Sequence, residues 1–228
     1  MQNRQIIEPK RSIDVIHETD VLVVGSGPGG LSAAIASARC GVQTTLLERF
    51  GCFGGNITVV GVEGFAWYRH EKTVEAGGIG REFEELAKEM GAAVPESQSL
   101  SYELDSEGFK LVADKLVMDS GIHPMLHRSF SMPIMEGNTI IGVIVESKAG
   151  REAILSKVVI DATGDADVAF RAGAQLNTMP VEELMATSVM FHLAGVDKKA
   201  FLSEIQNNPQ SYKDWSDSEW EVETDGKE

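Results

Sequence analysis

Asp20-Val-Leu-Val-Val-Gly-Ser-Gly-Pro-Gly-Gly30 opens a unit that continues through an alanine-rich stretch to Arg39 and closes with Gln43-Thr-Thr-Leu-Leu-Glu48. The apolar, mostly β-branched run at 21–24 suits a strand buried on both faces. Gly25, Gly27 and Gly30 occupy the three glycine positions of a dinucleotide-binding βαβ turn. The first allows the tight turn, the second lets backbone N–H groups approach a pyrophosphate, and the third lets the helix pack closely with its N-terminus toward the phosphates. Glu48 stands about twenty positions further on, where a carboxylate accepts hydrogen bonds from the adenosine ribose and repels a 2′-phosphate, which favours FAD or NAD over NADP. Glycine-rich turns are common by themselves. The strand before, the helix after and the second strand ending in an acid give this one its meaning.

Composition narrows the partners. The chain has 228 residues and a formal charge of -15, which disfavours nucleic acid and anionic membrane surfaces by repulsion. Cys40 and Cys52 are its only cysteines, and their spacing marks neither a disulfide framework nor a zinc site. The first eleven residues carry charges without an apolar core of signal-peptide length, and nowhere do about eighteen apolar residues run together. These features predict a cytoplasmic protein in a reducing compartment that meets small molecules.

Beyond Glu48, the run Gly51-Cys-Phe-Gly-Gly-Asn56 is too glycine-rich for an element interior and suits backbone lying against a ligand. Apolar positions Phe83, Leu86 and Met90 predict a helix over 80–90, stopped by Gly91. A second helix is predicted from Ser106, behind Asp105, to Ser120, with Phe109, Val112 and Leu116 inward. A further sheet strand is expected between Pro124 and Met132. From 134 to 160, short β-rich runs separated by turns at 136–138 and 148–150 predict a β-meander. Its last run enters Asp161-Ala-Thr-Gly-Asp-Ala-Asp167 and a short helix at 168–172. That order predicts an α/β, Rossmann-like FAD/NAD(P)-binding domain with a parallel sheet and a three-stranded β-meander crossover. It favours FAD over NAD.

The expected boundaries are an FAD-binding domain over 1–176, the start of a second, substrate or cap domain over 177–213 with a β-like run at 187–193, and an acidic tail or truncation point over 214–228. In that tail Trp215 and Trp220 are the large apolar groups, too few to bury much surface.

Taken together, the glycine unit, Glu48-Arg49, Gly54-Gly55-x-x-Thr58, Gly77-Gly-Ile-Gly-Arg-Glu82 and Asp161-Ala-Thr-Gly-Asp-Ala-Asp167 resemble the FAD-dependent oxidoreductases of glutathione-reductase-type fold. The resemblance runs from about 15 to about 197. It is nearest to a bacterial group related to fumarate reductase flavoproteins and to the flavin subunit of heterodisulfide reductase. It implies that Gly25, Ser26, Gly27, Pro28, Gly29 and Gly30 hold the pyrophosphate, Glu48 the ribose, and that Arg49 lies beside the adenosine. Gly54, Gly55, Asn56 and Thr58 are implied along the path to the flavin, Ser131 or neighbouring Phe130 at the adenine, and Ala162, Thr163 and Gly164 over the adenosine, with Asp165 bracing the loops. Members of the group continue for a comparable length again, with a Gly-Asp motif that covers the ribityl chain. Nothing after Gly173 supplies one here.

The implied activity is an FAD-dependent oxidoreductase whose flavin accepts hydride from, or donates it to, a small organic substrate. The alternatives are a truncated or split flavoprotein subunit that binds nucleotide or a partner chain and is inactive alone, and an NAD-dependent dehydrogenase. Because the flavin carries the chemistry, no catalytic side chain is marked. Cys52 reads either as a redox partner of the flavin or as a small apolar filler. Trp67-Tyr-Arg-His70 reads either as a substrate contact, through Arg69 and His70, or as a surface turn. His123, His127 and His192 read as structural, and Asp161, Asp165 and Asp167 as turn-capping groups rather than a cation site.

Overall fold

A computed structural model of the chain describes residues 6, 9–65, 69–70, 74–75, 77–95, 101–185 and 187–208. The chain divides into two compact units, Met1–Met190 and Phe191–Glu228. The first is built on a sheet whose strands are β1 (Val15–Val24), β2 (Thr44–Leu47), β8 (His123–Met125), β9 (Ser129–Glu136), β10 (Thr139–Ser147) and β11 (Gly150–Asp161). Among the described residues it has six strands in the order β8-β2-β1-β11-β10-β9. The first four are mutually parallel, and β10 runs antiparallel to both β11 and β9. Short pairs at the periphery involve β3 (Gly64–Phe65) with β7 (Tyr102–Leu104), β7 with β6 (Ala93–Pro95), and β4 (Arg69–His70) with β5 (Val74–Glu75).

The predicted meander is β9–β11. Its last strand is one continuous run that pairs with β10 on one side and with β1 on the other. The strand expected between Pro124 and Met132 is β8, displaced one residue toward the N-terminus and three residues long.

Alternation along β1 places Val23 on one face and Leu22 and Val24 on the other, all at most 2% exposed. On the Val23 face lie α1 (Pro28–Arg39), α2 (Ile79–Glu89) and α3 (Ser106–Asp119), whose Leu31, Ile35, Phe83, Phe109 and Val112 fill one core. On the opposite face Leu22, Val24 and Leu47 meet Val143, Val145 and Ile154 of the meander and Val168 of α4 (Asp167–Arg171). Asp105 caps α3 as the sequence implies: its carboxylate accepts the Glu107 amide at 2.9 Å.

The β-like run at 187–193 forms no strand; the described residues there are exposed chain. Among the described residues no strand pairs with it, and β-propensity without a pairing partner does not make a strand. In the second unit the described element is α5 (Lys198–Asn207), capped by Asp197, which accepts the amides of Lys199 and Ala200 at 3.0 Å. Residues 214–228 and the Trp67-Tyr68 pair lie outside the described residues, as do the side chains of Arg69 and His70.

Candidate cofactor site

Register brings three strand ends together. Val24 of β1 stands between Leu47 of β2 and Asp161 of β11, so Gly25, Glu48 and Ala162 leave the sheet side by side. Ligands of open α/β sheets bind at such carboxyl ends. A cleft of about 760 Å³ opens there, within the range usual for cofactor sites.

Its floor is the glycine turn. Gly25 takes a φ of +98°, and a Cβ on it would stand 2.4 Å from the Ala162 carbonyl oxygen, so the turn admits no other residue without moving β11's exit loop. Gly27 is different. Its φ is -62° and a Cβ there would meet nothing within 4 Å, leaving the backbone open to the cleft. Proline at the first helical position removes one donor that α1 would leave unsatisfied. The first intrahelical bond runs from the Leu31 amide to the Gly27 carbonyl at 2.9 Å, so the Gly29 and Gly30 amides precede it. No acidic residue occupies the first turn and no side chain caps it. The N-terminus of this twelve-residue helix is thus uncapped and free of acidic side chains in its first turn, the features that suit a helix end to an anion, and a diphosphate is compatible with them.

Two carboxylates hold the flanks. Glu48, 6% exposed, accepts both the amide (2.9 Å) and the hydroxyl (2.6 Å) of Ser26 on Oε2, and the Phe50 amide (2.9 Å) on Oε1. It therefore ties the glycine turn to the loop after β2, besides lining the cleft. Across β1, Asp161 accepts the amide (3.1 Å) and hydroxyl (2.7 Å) of Thr163 and the Ala169 amide (2.9 Å). Asp161, not Asp165, is thus the brace of the Ala-Thr-Gly loop; Asp165 sits exposed at its tip. The assignment to Asp165 overlooked that a carboxylate at the strand's last position faces the amides of the turn that follows.

Of the residues named from sequence, Gly25 to Gly30, Glu48, Arg49, Gly55, Asn56, Ala162, Thr163 and Gly164 line the cleft. Gly54, Thr58 and Ser131 are not among its lining residues. The Gly54 amide donates to the Ser26 carbonyl at 2.9 Å, and buried Thr58 donates its hydroxyl to the Phe53 carbonyl at 2.7 Å, so both shape the wall from behind. The Ser131 hydroxyl is 3.4 Å from Arg151 Nη2, and its neighbour Phe130 lines the cleft instead. The cleft also takes in Asp167, the last residue of the Ala-Thr-Gly-Asp-Ala-Asp motif, and Phe50, Val59, Val60 and Arg128, which sequence patterns do not mark. Val59 and Val60 arrive through one wide turn of π-helix, Asn56–Val60. Arg128 arrives because its amide donates to the Glu48 carbonyl at 3.0 Å, and the Arg49 guanidinium lies 4.7 Å from the Phe50 ring centre.

The remaining candidates fall elsewhere. Cys52 is half-buried behind the cleft with Sγ 3.9 Å from the Thr58 hydroxyl. The imidazole of His123 stacks on that of His17, with centres 4.5 Å apart, while His127 packs against Gly51 and His192 lies in exposed chain. Among the described residues no three His, Cys, Asp or Glu side chains come together as a metal site. None of the described helices is long and apolar enough to cross a membrane.

A family profile described as FAD dependent oxidoreductase matches residues 20–228. The thiamine thiazole synthase of Metallosphaera sedula is 32% identical over 160 residues, which are 65% of this chain and 55% of that protein. That of Saccharolobus solfataricus is 32% identical over 162 residues, 66% and 57% of the two chains. This chain therefore spans a little over half the length of these relatives. Among solved structures, THI4 of Thermovibrio ammonificans aligns with a TM-score of 0.50 at 22% identity, over 68% of this chain and 61% of that one. L-proline dehydrogenase of P. horikoshii aligns at 0.52 and 13% identity, over 71% and 57%; both similarities speak for the fold alone.

Proposed function

The chain belongs to the FAD dependent oxidoreductase family, and from that premise we propose that its cleft takes the adenosine diphosphate end of FAD in an enzyme that moves hydride between the flavin and a small organic substrate. The observation that carries this reading is the terminus of α1, open at Gly27 and Gly29 within a cleft of cofactor size. FAD, when bound, supplies the electron acceptor or donor for such a transfer. The chain's own part is to bind and orient. The amides ahead of Leu31 meet the diphosphate, the free lone pairs of Glu48 accept the ribose hydroxyls, and Arg49, Phe50, Arg128 and Phe130 surround the adenosine end. Asn56, Val59 and Val60 lead away from the diphosphate and exclude water along the path to the ring.

A second reading is favoured by the span of the match. The matched stretch corresponds to 55% and 57% of the thiazole synthases it resembles, and under this reading a further domain or a partner chain encloses the flavin. Under that reading the cofactor end is present here and turnover requires the other part.

Purified chain, mixed with FAD and passed through gel filtration, tests the proposal: flavin absorbance travelling with the protein is expected, with a saturable titration. Failure to retain or titrate FAD at any concentration counts against the cofactor assignment. Retention without turnover on hydride donors, or on precursors of a thiazole as the relatives' name suggests, supports the second reading.

A further inference from the structure

We propose that Asp161 is a positioning residue of the cofactor site, one that sets cofactor affinity by fixing the wall against which the glycine turn is seated; this rests on the cofactor reading above. Four hydrogen bonds converge in one short segment. Asp161 takes the Thr163 amide and hydroxyl and the Ala169 amide, and the Thr163 hydroxyl oxygen takes the Asp167 amide at 2.8 Å. They hold Ala166 in the left-handed region at a φ of +56°, a conformation that a residue with a Cβ keeps only when its surroundings over-determine it.

The braced loop is a mould. The Ala162 amide donates to the Val24 carbonyl at 2.9 Å. Its own carbonyl oxygen stands 2.4 Å from where a Gly25 Cβ would be, and its methyl 3.1 Å from that of Gly30. Any drift of residues 162–167 is therefore felt at the turn that presents the Gly29 and Gly30 amides. Replacing the carboxylate by a carboxamide turns one acceptor into a donor and faces it toward amides or a hydroxyl that also donate, leaving at least one of them unmatched. Lengthening it by a methylene keeps the charge and misplaces both oxygens.

The test uses the full chain with D161N and D161E. FAD affinity is expected to fall about tenfold or more in both. Amide hydrogen exchange of the ligand-free proteins is expected to accelerate at 162–169 and at 25–31, with α3 unchanged as the sign of an intact fold. Exchange at 25–31 unchanged in both variants overturns the proposal, as does faster exchange with unaltered FAD affinity. D161E binding FAD as the parent does while D161N binds weakly also overturns it, since charge rather than placement would then matter. If the parent chain itself binds no FAD, the cofactor reading fails, and exchange at 25–31 alone decides whether Asp161 fixes the turn.

Discussion

At Gly27 a side chain would project into open cleft, whereas at Gly25 it would collide with the backbone of residue 162. The same substitution therefore has different consequences two residues apart. Gly25→Ala must adopt a positive φ and displace Ala162, and it should destabilise the fold by roughly 2 kcal/mol or more, read as a lowered denaturation midpoint. Gly27→Glu meets no steric bar, so its ligand-free melting temperature should stay near the parent's. Its carboxylate would sit where a diphosphate lies, and FAD binding should be lost; undiminished affinity in a titration would remove the basis of the assignment. Both glycines are legible in the sequence as members of one pattern. What the pattern hides is which of them serves the chain and which serves the ligand, because that depends on a loop more than 130 positions away.

Among the elements, α2 and α3 show which contacts carry weight. Phe109 of α3, 1% exposed, meets Phe65 and Phe83 with ring centres 5.8 and 5.7 Å away. Phe109→Ala should cost about 3–5 kcal/mol through lost burial and the cavity left behind. Arg39 and Glu82 join α1 to α2 by two hydrogen bonds of 2.8 and 2.6 Å, yet both side chains are more than 40% exposed. Arg39→Ala should cost at most about 1 kcal/mol, and urea denaturation of the two variants side by side would rank them. Helices α2 and α3 and the meander are legible from periodicity and from Asp105, since local pattern and tertiary burial agree there. The run at 187–193 misleads because its alternation has no neighbouring strand to satisfy it. Arg128 is invisible for another reason: it lies in the short loop between β8 and β9 and is held at the cleft by a backbone bond to the Glu48 carbonyl, which leaves no periodic trace.

Across the whole molecule, acid sensitivity should begin at the sheet end remote from the cleft. Burial, with the neighbouring His123 adding to it, holds the His17 imidazole below its ordinary value of 6.5. The unfolded chain then binds a proton that the native chain resists, so this contribution is full above pH 6.5 and is lost as pH falls from there toward the native value. Melting temperature should drop between pH 7.5 and 5.5, and the drop should shrink in His17→Asn; an equal drop in both would assign it to other groups. Asp20 and Glu82, held low by Lys157 and Arg39, lose their share in the same direction at more acid pH. Strand β11 also has a consequence in time. Ribosomes add residues in order, and the partner of Val24 is Asp161. The glycine turn therefore emerges without its mould and waits on the order of ten seconds at ordinary elongation rates. During that interval the nascent chain exposes Leu22 and Val24 and has no finished place for a cofactor, so flavin loading belongs after the meander has been made.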